Sequence, residues 1–129
     1  MAGRSQGFRD LQVWQVAKNL AVHVYRYTEN SAISRDFGLK DQMRRAAVSI
    51  ASNIAEGYER RSDKDFVRFL LIAKGSLSEL RTQTDIAREV GYFSRDLYDH
   101  LENEGAKLAG MLTKLIQYRL QSVDRMNSK

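Results

Sequence analysis

The sequence predicts an all-α protein, an up-down-up-down antiparallel four-helix bundle built as a single domain over residues 1–129. Three observations predict it. Four segments carry apolar residues at alternating spacings of four and three, the mark of one buried helical face. The chain has no proline, the strongest helix breaker. The links after the second and third segments are short, so the helices they join must lie side by side as antiparallel neighbours. The alternation of a half-buried strand is absent. A domain of 14.8 kDa is long enough to bury a core without disulfides or metal.

Residues 1–7 contain glycine and serine and are expected to be flexible, with Phe8 the first anchor. The first helix is expected over about 10–28, with Val13, Ala17, Leu20, Val24 and Tyr27 in its seam and Leu11, Trp14 and Ala21 widening the apolar face. Trp14 reads as a plug in the core or an interface. From Glu29 to Gly38 the pattern lapses into the longest connection, with Phe37 expected to tuck back onto the bundle. The second helix, about 39–59, has two adjacent stripes. Met43, Ala47, Ile50, Ile54 and Gly57 form an apolar seam, and Gln42, Ala46, Ser49, Asn53 and Glu56 follow the same rhythm one position earlier. Ser62 then reads as an N-cap, with Asp63 and Asp65 where the helix dipole favours negative charge.

The third helix, about 63–90, has the cleanest seam: Phe66, Leu70, Ala73, Leu77, Leu80, Thr84 and Ala87. Ser76, Glu79 and Gln83 make a second polar track beside it. Gly75 in mid-helix costs about 1 kcal/mol relative to alanine, which predicts a neighbour packed close against it. Gly91 closes this helix, Tyr92 and Phe93 bridge, and Ser94 caps the fourth helix, about 95–121. Leu97, Leu101, Leu108, Met111 and Leu115 form its seam, broadened by Leu112, Ile116 and Leu120, and residues 122–129 are expected to fray.

Several chemistries are excluded or disfavoured by composition. Without cysteine there is no thiol catalysis, thiolate metal site or disulfide framework. No Walker or dinucleotide glycine motif and no Gly-x-Ser-x-Gly is present. A di-iron bundle needs Glu-x-x-His on two helices, but Leu20 and Leu97 precede His23 and His100 by three residues. His23 has no second metal-type ligand at helical spacing, and Asp96 with His100 makes only a pair, so neither metal nor cofactor is expected. Glu56 and Glu79 suggest an acid–base pair, yet Arg44, Arg45, Gln42, Asn53 and Gln83 are placed to neutralise and hydrogen-bond them. A polar network or assembly interface of Gln42, Arg45, Ser49, Asn53, Glu56, Ser76, Glu79 and Gln83 is the preferred reading, and no enzyme is expected. The N-terminus lacks an apolar leader, and no stretch approaches the roughly 18 apolar residues of a membrane span. A soluble, cytoplasmic protein is expected.

The formal charge of +5 favours anionic partners. Lys74, Arg81, Arg88 and Arg95 recur every seventh residue, with Arg60 upstream in the same phase and Arg61 beside it, while His100, Lys107 and Lys114 make a shorter stripe. Seven-residue spacing places such groups about 10 Å apart along a helix, suited to successive phosphates. The competing reading is a solvated charged face, with Asp85 and Glu89 forming pairs one turn away.

The runs FRDLQVWQVAKNL, FGLKDQMRRAAVSIASNIAEGYERRS and FVRFLLIAKGSLSELRTQ, with the Gly-Tyr pair before the fourth helix, resemble the four-helix-bundle family of 23S rRNA intervening-sequence proteins. The likeness spans about Phe8 to Leu120, and SIASNIAEG and IAKGSLSEL are its most specific blocks. The connection after Thr28 lacks the proline associated with that family, which implies a different loop shape. The resemblance implies a small helical protein without known catalysis, with RNA or another nucleic acid as partner, assembling as a barrel-like homopentamer. The chain is also similar to the accessory variability determinant proteins of diversity-generating retroelements, which implies, as an alternative, a reverse transcriptase and its template RNA as partners.

Overall fold

The structure, a computed structural model, describes residues 5–127, which form four α-helices and no strand. These are α1 (Gln12–Glu29), α2 (Phe37–Glu59), α3 (Asp63–Glu89) and α4 (Arg95–Asn127), with single turns of 3-10 helix at Gly7–Asp10 and Ala32–Arg35. Each helix packs on its neighbour in sequence, and α4 returns to α1.

The seams expected on α2 and α3 are buried throughout, as are Val13, Ala17, Leu20 and Val24 of α1. Gly57 has a specific reason to lack a side chain: a β-carbon there would lie 2.5 Å from Cβ of Phe69. The helices touch at matched points. Gly57 lies against Phe66 and Phe69, and Ser49 against Ser76. Asp63 meets Arg119, Asp85 meets Tyr98, Thr28 meets Arg44 and His23 meets Glu104.

Local chemistry sets the ends. Asp36 caps α2 by accepting from the Leu39 amide at 3.1 Å, and Ser62 caps α3 by accepting from the Asp65 amide at 3.1 Å. Gly91, at φ +84°, ends α3 in a Schellman turn, in which Tyr92 N donates to Ala87 O and Gly91 N to Arg88 O. Arg44 closes the C-terminus of α1, donating to Thr28 Oγ1, the Tyr25 carbonyl and Glu29. A cation there also complements the helix dipole.

Five expectations need correction. The Glu29–Gly38 connection is not wholly irregular: it holds a 3-10 turn whose Ile33 is fully buried, and α2 starts at Phe37. Phe37 does not tuck back; it is 73% exposed, with the Lys40 ammonium over its ring. Gly75 is open, with nothing within 4 Å of a β-carbon added there. The buried line of α4 is Leu101, Gly105, Leu108, Leu112 and Ile116, so Leu97, Met111 and Leu115 only flank it and Leu120 is exposed. Finally, α4 continues to Asn127, because no glycine or proline after Gly110 interrupts it. Of the segments expected to be flexible, residues 1–4 and 128–129 lie outside the described residues, while Gly7 already belongs to a 3-10 turn.

Candidate nucleic-acid interface

The heptad-spaced cations of α3 fall at its border with α4, and that placement decides which are available. Arg81 lies across Gly105, whose missing β-carbon leaves room for the arginine stem, and reaches Glu102 with Nη2–Oε1 at 2.5 Å. The hydrogen bond to Glu102 raises the Arg81 pKa above its already high ordinary value. Arg88 donates to the Phe93 carbonyl at 2.9 Å and braces the α3–α4 turn around that buried ring. Both residues are structural clasps. Arg60 is engaged as well, pairing with Glu56 at 3.0 Å and lying over the Phe69 ring.

Lys74, Arg95, Lys107 and Lys114 form no ion pair among the described residues, and neither does Arg61, which stands in the left-handed region at φ +66° in the α2–α3 turn. The two stripes do not merge into one track. Arg81 and Glu102 fix the longer one at the α3–α4 border, whereas His100 and Glu104, one turn from Lys107, fix the shorter one at the α1–α4 border. They flank α4 on opposite sides.

Asp85 and Glu89 do not pair with Arg81 along the helix. Asp85 instead accepts from the Tyr98 hydroxyl at 2.7 Å. That bond, then burial and the Asp85 charge, push the Tyr98 pKa up to about 12.

The polar tracks of α2 and α3 come together as expected from their phase. Ser49 and Ser76 hydroxyls lie 2.9 Å apart, and Asn53 Nδ2 donates to the Ser49 carbonyl and hydroxyl. Gln42, Arg45, Glu79 and Gln83 line the same open groove. The expected neutralisation of Glu56 and Glu79 by Arg44 and Arg45 is not what forms. Arg44 serves α1, Arg45 pairs with Asp41 at 3.2 Å, and Glu56 pairs with Arg60. Arg45 and Glu56 each pair one turn away on their own helix, and Arg44 reaches across to the C-terminal end of α1.

Sequence spacing missed a third cluster. His23 and Tyr27 of α1 meet His100 and Glu104 of α4. The only local signal was His100 and Glu104, one turn apart; Asp96, the other residue a turn away, has no part in it. On the α1–α2 side, an apolar groove of about 650 Å³ is bordered by Trp14, Ala21, Val22, Tyr25, Val48 and Ala51. No described helix is long and apolar enough to cross a membrane.

The family model described as 23S rRNA-intervening sequence protein matches residues 9–114. Among solved structures, the chain is similar to a protein of unknown function from the S23 ribosomal protein family of Bacteroides thetaiotaomicron VPI-5482. The TM-score is 0.76 at 24% identity, over 81% of this chain and 95% of that one. At that identity the likeness carries the fold alone. No curated protein matches the chain.

Proposed function

The chain belongs to the family of 23S rRNA-intervening sequence proteins, and from that membership we propose that it is a non-enzymatic, oligomeric RNA-binding protein of the cytoplasm. The observation that carries the reading is that the stripe cations Lys74, Arg95, Lys107 and Lys114, like Arg61, form no ion pair among the described residues, on a chain of formal charge +5. Their neighbours Arg81 and Arg88 are engaged by Glu102 and the Phe93 carbonyl and are left out of the proposed RNA contacts. The four lysine and arginine heads offer point charges suited to backbone phosphates, which position an RNA without reading its bases.

The test changes Lys74, Arg95, Lys107 and Lys114 together to glutamine and compares the variant with a control quadruple, Lys18, Arg26, Arg35 and Lys64, of equal charge change. Each lost phosphate contact lowers the slope of log affinity against log salt by about 0.7 for a single strand. A slope reduced only in the first variant supports defined phosphate contacts at these four positions. Equal reductions mean a diffuse charge effect, and no RNA binding by the unmodified protein would end the proposal.

The helices are read as an up-down-up-down bundle, supported by the matched pairs Gly57 with Phe69, Asp63 with Arg119, and His23 with Glu104. Assembly as a barrel-like homopentamer is the accompanying proposal, supported by an outer ridge of α3 that exposes Leu71, Ile72, Ile86 and Val90. One observation favours the accessory-protein alternative, in which a reverse transcriptase is bound together with its template RNA. The apolar α1–α2 groove beside Trp14 offers a protein partner a seat that RNA does not need.

A further inference from the structure

We propose that His23, His100 and Glu104 form a binding site for a zinc-class divalent cation that ties α1 to α4. The chain has two histidines and no cysteine, and both histidines converge on one carboxylate from opposite sides of a helix–helix border. One ligand atom from each residue lies within 4.8 Å of the others. His23 Nδ1 is 2.8 Å from Glu104 Oε2, and His100 Nε2 is 3.6 Å from the same oxygen. Ligands of a tetrahedral ion with bonds near 2.0 Å stand about 3.3 Å apart, so small side-chain adjustments bring the three into place.

The donor set selects the ion. Two imidazoles and a carboxylate suit Zn²⁺ and its neighbours Co²⁺, Ni²⁺ and Cu²⁺, whereas Mg²⁺ and Ca²⁺ prefer oxygen ligands throughout. The fourth position is left to water. His100 is 46% exposed on its side chain and gives the ion a way in, while Glu104, at 21%, is held between the two rings.

The surroundings also orient the ligands. Tyr27 is hydrogen-bonded through its hydroxyl to His100 Nδ1, and it stacks on His23 with ring centres 5.9 Å apart. In the binding tautomer His100 donates Nδ1–H to the Tyr27 oxygen, which leaves the Nε2 lone pair facing Glu104. This is the outer-shell contact that ligating histidines usually make, and it gives Tyr27 the role of a positioning residue. The site joins the first helix to the last, which no other ion pair among the described residues does.

The experiment uses the full chain without a histidine tag, stripped with chelator and titrated with Zn²⁺ by calorimetry. The expected result is one Zn²⁺ per chain and a rise of several degrees in melting temperature. The unmodified protein supplies a readout that needs no variant: both histidine imidazole signals in the NMR spectrum shift together and saturate at one equivalent. His23→Gln and His100→Gln should each weaken binding at least a hundredfold, and Tyr27→Phe by about tenfold. The proposal is overturned if Zn²⁺ leaves either imidazole unmoved, if no stoichiometric binding occurs, or if the folded double histidine variant binds as tightly as the parent.

Discussion

At the scale of single residues, two glycines of similar sequence context have opposite environments. Gly57 sits where any β-carbon would collide with Phe69, a contact between two helix backbones that cannot yield by turning a rotamer. Gly57→Ala is therefore expected to lower the unfolding free energy by about 1–3 kcal/mol, as overpacking does. Gly75 has open space around it, so Gly75→Ala gains helix propensity and raises stability by up to about 1 kcal/mol. Urea denaturation of the two variants checks both signs; a destabilised Gly75→Ala protein would contradict the open environment. The sequence showed that each glycine stood within a helix but not what stood opposite. Position 57 was legible because it fell in the apolar seam. Position 75 lies on the far side of α3 from Ala73 and Leu77, and the cost of a glycine there does not reveal whether a neighbour or solvent compensates it.

At the scale of elements, the α3–α4 pair is held by three polar clasps spread along its length: Asp63 with Arg119, Arg81 with Glu102, and Asp85 with Tyr98. The last gives the pair an alkaline weakness. Tyr98 ordinarily ionises near 10 and in the folded chain is pushed up to about 12, chiefly by its bond to Asp85. A raised folded pKa means the folded state holds the proton more tightly. The stability it supplies is whole below pH 10 and is lost as pH rises through about 12. Tyr98→Phe should flatten the fall of the urea midpoint across that window relative to the parent, and parallel curves would show that the bond is not coupled to folding. None of these clasps was legible, since each depends on register between helices. The helices themselves were, through the four-three rhythm, except on α4. There the buried line runs through Gly105, which counts as no apolar residue, so the reading slipped to the flanking Leu97, Met111 and Leu115. The same limit applies to the basic stripe: only Lys74, Arg81 and Arg88 share one helix, since Arg60 caps α2 and Arg95 opens α4, and spacing gave no sign of the Glu102 carboxylate and Phe93 carbonyl that hold Arg81 and Arg88.

At the scale of the whole molecule, the side of α3 facing away from the bundle core is the feature a lone bundle would not need. Leu71, Ile72, Ile86 and Val90 are exposed there, with Gly75, Ser78 and Thr82 on the same side, where an outer helix face is ordinarily charged. The adjoining groove of Gln42, Ser49, Ser76 and Gln83 supplies polar groups for the rim of such a face. Gln83 Oε1 is already buried without a hydrogen-bond partner among the described residues, a cost that a donor from another chain would relieve. If this face joins copies, Ile72→Glu with Ile86→Glu breaks the assembly without touching the core, because neither side chain contributes to it. Light scattering at micromolar concentration should give about five times the 14.8 kDa chain mass for the parent and the chain mass for the double variant, with helical content unchanged. A parent that runs as a monomer removes the assembly, and an intact oligomer in the double variant moves the interface elsewhere, with the apolar α1–α2 groove beside Trp14 the next surface to alter. The outcome also bears on RNA binding: copies arranged in a ring repeat Lys74, Arg95, Lys107 and Lys114 around it, so dissociation should weaken RNA affinity even though every one of those cations remains.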